Sequence, residues 1–297
     1  MTVYKLRAIW YTLSSTLVLG SLIAFAIFGL KVGIDFTGGS MMALRFGGDR
    51  PSAIEVERSL DGMDLGSIIV QPVGDHDANI RMKTLTEAQH AEVLKKFSDT
   101  FKDVSELRFD AIGPAIGAEL RTKAIEALIV ALLAILAYIA FSFRKVSVPV
   151  QNWKYGMITV LTAFHDTIVP VGVFVILGKW ANWEVDTTFV VALLTILGYS
   201  INDTIVVLDR VRENLHRMSG SFEDIVDVSL RQTYVRSLNT TFATLCGIIA
   251  VYFFGGASLK PFALALGIGI ATGAYSSIFI APPLLVTWEK FARRKKQ

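Results

Sequence analysis

Six stretches of this chain are long and apolar enough to cross a lipid bilayer, and they limit what it can fold into. They run over residues 9–30, 124–143, 155–177, 187–208, 237–254 and 261–288. A membrane-spanning helix needs about 20 such residues to cross a hydrocarbon core of roughly 30 Å. In a chain of 297 residues, hydrophobic residues make up 53% and charged residues only 19%. Counted with glycine in place of tyrosine, the apolar share is about 58%, against roughly 45–50% for a soluble domain. A soluble interior of this size cannot hide that surplus, so a polytopic α-helical membrane protein with six transmembrane helices is predicted. The first stretch follows Lys5 and Arg7 as a secretory signal would. Its apolar run of about 22 residues exceeds the usual 7–15, so it reads as an uncleaved anchor.

Charge sets the expected topology. Lys5 and Arg7, then Arg144, Lys145 and Lys154, then Arg210, Arg212, Arg217, Arg231 and Arg236, and finally Lys290, Arg293, Arg294, Lys295 and Lys296 all fall on one side. The short segments on the other side hold only Lys179 and Lys260. By the positive-inside rule both termini are cytoplasmic. Aromatic anchors agree, with Trp10, Tyr11, Trp153, Tyr155, Trp180, Trp183, Tyr252 and Trp288 near the expected interfaces. The net charge of +3 gives no reason to expect nucleic acid as a partner. A lone cysteine, Cys246, excludes an internal disulfide and a cysteine-built metal site, and no metal or other cofactor is expected.

The chain thus divides into a first span with its cytoplasmic lead (1–30), an extracytoplasmic segment (31–123), a five-helix membrane bundle (124–288) and a basic cytoplasmic tail (289–297). The extracytoplasmic segment carries twelve basic and fifteen acidic residues. Its pattern reads strand (40–46), helix (52–60), strand (67–73), strand (79–84), helix (86–98), strand (104–111). Ser52 with Glu55, and Thr86 with Gln89, fit capping boxes that place the two helix starts. The order β-α-β-β-α-β predicts an α+β, ferredoxin-like domain between the first and second spans. Just before it, Gly33-Ile34-Asp35-Phe36-Thr37-Gly38-Gly39 lacks the Lys-Ser/Thr of a phosphate loop, so a tight structural turn is expected there.

Ionisable groups inside the bilayer cost at least about 2.5–3.5 kcal/mol on insertion scales, which makes each a functional candidate. The third span holds His165 and Asp166, about halfway across. Pro170, four residues on, cannot donate to the Asp166 carbonyl and leaves it a free acceptor. Asp203, in the fourth span, is flanked by Asn202 and Thr204 and shares a face with Tyr199. The fifth span opens with Arg236, and Asn239, Thr240 and Thr244 follow it on one face. Arg236 either snorkels to the headgroups or serves as the cation that tunes Asp203. Ala265, Gly269, Gly273 and Ser277 recur every four residues in the sixth span and read as a helix-packing stripe without chemistry.

Five runs together resemble the SecF branch of the SecD/SecF protein-export family, a part of the resistance-nodulation-division superfamily. They are Gly33 to Gly39, Ile112-Gly-Pro-Ala-Ile-Gly-Ala-Glu119, His165-Asp166, Gly198 through Asn202-Asp203-Thr204 to Asn214, and Arg236-Ser-Leu-Asn239-Thr240-Thr241. The resemblance covers nearly the whole chain. It implies a proton-driven role in the late stages of protein translocation across the bacterial cytoplasmic membrane, acting on unfolded secreted polypeptides with the SecYEG channel and the SecA ATPase. It also implies a SecD-like partner supplying six more spans, protons as the coupling ion, and a non-enzymatic protein. Asp203 and Arg236 fall on the family's proton-transfer positions, while the family's principal proton-carrying aspartate lies in SecD. A small-molecule exporter of the same superfamily is the alternative, although about 90 external residues are few for a porter domain. An intramembrane aspartyl protease would need two aspartates such as Asp166 and Asp203, but the residues around them do not match that chemistry. A purely structural subunit would tolerate loss of the Asp203 carboxylate.

Overall fold

The computed structural model describes residues 3–142 and 152–294. The expected end of the second span at Phe143 and the basic residues Arg144, Lys145, Lys295 and Lys296 lie outside the described residues. In chain order come α1 (Arg7–Phe28), α2 (Ile34–Thr37), β1 (Gly39–Phe46), α3 (Ala53–Ser59), β2 (Ile69–Val73), β3 (Asp77–Met82), α4 (Glu87–Thr100) and β4 (Val104–Ile112). Then follow α5 (Pro114–Ser142), α6 (Asn152–Ala181), α7 (Thr187–Arg217), α8 (Phe222–Phe254), α9 (Lys260–Phe279) and α10 (Ala281–Arg294). Two compact units result. One is Val32–Glu126 together with Glu184–Thr187, and the other holds the remaining described residues.

The first unit is an α+β domain built on a four-stranded sheet in the order β2-β3-β1-β4, with every neighbouring pair antiparallel. This is the split β-α-β arrangement that the order of elements predicts. Strand alternation puts Met42, Leu44 and Phe46 of β1 and Ala78, Ile80 and Met82 of β3 on one face. They bury against Val56 of α3 and Val93 and Phe97 of α4. Both capping boxes form. Ser52 and Glu55 bond reciprocally at the start of α3, as Thr86 and Gln89 do at α4. The bonds from Ser52 hold the Glu55 carboxyl below the usual carboxylate range. Pro72 sits in β2, an edge strand, where its missing N–H removes no ladder bond from the sheet interior.

The glycine turn contains a single helical turn, α2, that its sequence did not reveal. It ends on Gly38 at φ +73° and Gly39 at φ +134°, backbone conformations that side chains with a Cβ rarely adopt. A Cβ on Gly38 would also lie 2.8 Å from Pro114 Cα at the start of α5. Gly38→Ala is therefore expected to destabilise this unit by about 1–3 kcal/mol. Limited proteolysis of the purified chain checks it, with new cleavage within 32–126 at temperatures the parent resists. Unchanged resistance would show that the turn relaxes freely.

The second unit contains the membrane helices; among the described residues, six helical segments are long and apolar enough to cross a bilayer. This is a multi-pass membrane protein. α6 packs on α1 and α9, and α9 also on α8. The core includes Tyr155, Ile158, Leu197, Ile201, Leu208 and Leu285. The stripe on α9 packs as expected. A Cβ on Gly269 would fall 2.2 Å from Ile196 Cδ1 of α7, so only glycine lets these helices approach this closely.

Two boundaries differ from expectation. The sixth span is two helices, because Pro282 and Pro283 lack the N–H groups that would continue the ladder past Ile280. Beyond the apolar limits at 208 and 237, where Asp209 and Glu213 beside Arg210 and Arg212 read as a solvated helix end, the segment 209–236 is helical except for 218–221. Ion pairs of Arg210 and Arg217 with Glu213, and of Arg212 with Asp209, support α7 beyond its apolar run. Asn214 ties the two helices together through Ser229 at 2.8 Å and Gln232 at 2.9 Å.

Candidate functional site

Asp166 and Asp203 are buried in the apolar spans of the membrane unit, and serine hydroxyls from neighbouring helices hold both. Asp166 on α6 is fully buried. Its Oδ2 accepts from Ser200 Oγ of α7 at 2.5 Å and from Ser276 Oγ of α9 at 2.6 Å. Its Oδ1 faces His165 Nδ1 at 2.7 Å. Asp203 on α7 is 7% exposed. Its Oδ1 accepts from Ser237 Oγ of α8 at 2.6 Å, and its Oδ2 from Ser277 Oγ of α9.

The two sites use the same helices but separate hydrogen bonds. Successive side chains on a helix point about 100° apart, so the adjacent Ser276 and Ser277 serve different carboxylates. Ser200 and Asp203 lie three residues apart on α7. His165, Asp166, Ser200 and Ser276 thus form one hydrogen-bonded group, and Asp203, Ser237 and Ser277 form another. The carbonyl that Pro170 frees is approached by Thr272 Oγ1 of α9 at 3.5 Å. His165 Nε2, Thr204 Oγ1 and Thr241 Oγ1 are buried with no hydrogen-bond partner among the described residues.

Hydroxyls suit a carboxylate that changes its protonation state, since each can donate or accept. Ser277 Oγ also lies 3.1 Å from the Ala274 carbonyl, and Ser276 Oγ 3.1 Å from that of Gly273. Either hydroxyl can turn its proton to the backbone and accept one from a protonated carboxyl. No helix has to move for that exchange.

Arg236 does not meet Asp203 in this chain. Ser237, the next residue on α8, takes the buried face, which turns Arg236 outward into an exposed position. Asp203 forms no ion pair among the described residues. Asn202, Asn239 and Thr240 are exposed as well, and Thr240 Oγ1 bonds back to its own helix at the Arg236 and Ser237 carbonyls. Tyr199 bonds Thr244 at 3.3 Å instead of lying against Asp203. The carboxylates' real partners, Ser200, Ser237, Ser276 and Ser277, were missed because single serines in an apolar run read as packing residues. The adjacent pair Ser276-Ser277 was the available signal. Ser277 belongs to the packing stripe and also donates to Asp203.

In the first unit, Gly33 donates its N–H to the Val185 carbonyl at 2.7 Å. Asp35 Oδ2 accepts from both the N–H and the Oγ1 of Thr187, at 2.9 and 2.6 Å. Gly33, Asp35, Gly38 and Gly39 thus form a structural turn that also grips the segment 184–187.

Residues 92–291 match the family model described as protein export membrane protein SecD/SecF, C-terminal, and residues 23–49 match the SecD/SecF GG motif. The protein translocase subunit SecF of Thermobaculum terrenum is 42% identical over 97% of this chain and 93% of its own length. The protein translocase subunit SecDF of Thermus thermophilus is 36% identical over 97% of this chain, which spans 38% of that longer protein. The crystal structure of SecDF from the same organism, described as a translocon-associated membrane protein, superposes with a TM-score of 0.87 at 31% identity. That match covers 98% of this chain and 39% of the SecDF chain. With its glycine turn, its membrane helices and nearly its whole length matched, the chain belongs to the SecD/SecF family of protein-export membrane proteins, as one of its SecF translocase subunits.

Proposed function

We propose that this chain is the SecF half of a proton-driven export machine in the bacterial cytoplasmic membrane. Both termini face the cytoplasm, lipid surrounds the spans, and a SecD-like subunit supplies six further helices. The pair uses the proton-motive force to help unfolded polypeptides through the SecYEG channel after SecA has started them. It catalyses no covalent reaction, and protons are its only coupling species.

The observation that carries this reading is Asp203, a carboxylate buried among helices and held by two neutral hydroxyls, with no counter-ion among the described residues. Such a group is stable in lipid when protonated, and on losing its proton it needs a cation. Arg236 lies one residue from Ser237 on the same helix, on its exposed face, and a rotation of α8 would bring it to the carboxylate. Asp166 and His165 form the inner station of the same relay, their site lying next to that of Asp203 through the consecutive Ser276 and Ser277 of α9. Asn202, Arg236 and Asn239 would be costly against hydrocarbon, which supports a partner covering this face of α7 and α8. The SecDF relative, in which the matching region fills 38% of a longer chain, supports the same partner.

One charge crossing 100 mV releases about 2.3 kcal/mol, enough to bias a two-state domain roughly fifty-fold. Pulse-chase labelling of a secreted precursor in cells depleted of the chain tests the reading. Restoring the chain is expected to speed export several-fold, and an uncoupler should erase that gain. A gain that survives the uncoupler would refute proton coupling.

A further inference from the structure

We infer that the turn of residues 33–39 is a clamp by which the extracytoplasmic domain holds the first turn of α7, with Asp35 as its positioning residue. This rests on the proton-driven reading above and names the route by which Asp203 and the domain are coupled. Glu184–Thr187 is separated from the rest of the domain by most of the second and third spans, yet it belongs to the domain's compact unit. Three features hold it there. Val32 and Val185 form a parallel bridge, reinforced by the Gly33 N–H on the Val185 carbonyl. Arg81 of β3 pairs with Glu184 where both side chains are largely buried. Asp35 then takes the N–H and hydroxyl of Thr187, the first residue of α7.

A carboxylate is favoured at this position. The first N–H groups of a helix have no partner within it, and the helix dipole attracts negative charge at that end. Here the carboxylate comes from 152 positions earlier in the chain, so the cap is a tertiary joint. The same turn also contacts the start of α5, since a Cβ on Gly117 would lie 2.7 Å from Gly38 N. One seven-residue turn therefore grips the starts of two long helices, and α7 is the one that carries Asp203, Ser200 and the contact with Gly269. A pull of the domain on residues 184–187 enters α7 at its first turn. Helices transmit such a pull along their length because their backbone hydrogen bonds lie nearly parallel to the axis.

The test compares Asp35→Ala, Asp35→Asn and Asp203→Asn in the full chain, scoring recovery of the assembled complex and export with and without an uncoupler. Asp35→Ala is expected to assemble normally yet lose most of the uncoupler-sensitive export, at least fivefold, while uncoupler-insensitive export is unchanged. Asp35→Asn keeps an acceptor for the Thr187 N–H and should retain at least half of the gain. Wild-type export by Asp35→Ala would overturn the inference, and so would loss of the complex, which would make Asp35 a folding residue only. If Asp203→Asn exports normally while Asp35→Ala does not, the proton reading fails and the clamp survives. If Asp203→Asn fails while Asp35→Ala exports normally, the clamp alone is refuted.

Discussion

Asp203→Asn is expected to remove the whole uncoupler-sensitive part of export while the complex is recovered at the parental level. Asparagine has nearly the shape of the aspartyl group. Its Oδ1 can still accept from Ser237 or Ser277, and its amide can donate to the other hydroxyl, which has acceptor capacity to spare. Packing and hydrogen bonding therefore change little, by about 1 kcal/mol or less. What is lost is the ability to bind and release a proton. Export should fall to the rate the parent shows with uncoupler present, and adding uncoupler should slow it no further. Arg236→Ala should move export in the same direction if the arginine neutralises the ionised carboxylate. Pulse-chase of a secreted precursor beside co-purification separates the outcomes. Export that stays at the parental rate and stays uncoupler-sensitive would make Asp203 a structural residue and end the relay proposal.

The site was half legible in the sequence. A charged side chain in an apolar run is conspicuous, so Asp166 and Asp203 stood out at once. Their partners did not, because serine is common in membrane helices for packing and a hydroxyl shows its role only when the facing helix is known. The case of Arg236 is different. Its position at the start of the fifth span left two readings open, snorkelling to the headgroups or pairing with Asp203, and adjacent residues such as Arg236 and Ser237 cannot both face inward. Burial decided it. A serine at the helix interface satisfies Asp203 without bringing in a second charge, and the arginine is left on the face that a partner would cover.

The fold was more legible in the domain than at the membrane ends. Alternation, two capping boxes and the order of elements are local signals, and they gave the sheet topology with strand limits within about two residues. The continuation of α7 through Asp209 and Glu213 was legible as a solvated helix end, but the early start of α8 was hidden because hydropathy marks where lipid ends, while helices continue as long as propensity and ion pairs support them. The Pro282-Pro283 break was written in the sequence but lay within a continuous apolar stretch. Residues 184–187 could not have been assigned to the domain from the sequence, since their partners lie about a hundred or more positions away.

Asp166→Ala is expected to cost the membrane unit about 3–5 kcal/mol, the largest stability loss of any single side-chain truncation considered. The alanine would leave Ser200 Oγ, Ser276 Oγ and His165 Nδ1 facing a small void in a fully buried site. Breaking a buried hydrogen-bonded cluster from one side carries a penalty of this order because the surviving groups lose their partners. Ser276 can fall back on the Gly273 carbonyl, whereas Ser200 Oγ and His165 Nδ1 make no second hydrogen bond among the described residues. In detergent the unfolding midpoint should drop by about 5–15 °C, taking the usual relation between free energy and melting temperature for a chain of this size. Asp166→Asn keeps an acceptor and the shape, so it should melt within a few degrees of the parent. The same asparagine variant then separates bracing from conduction. If Asp166 is the inner proton station, the variant is stable but loses uncoupler-sensitive export, like Asp203→Asn. If it exports like the parent, Asp166 and His165 only brace the bundle, and the relay reduces to Asp203 with Arg236.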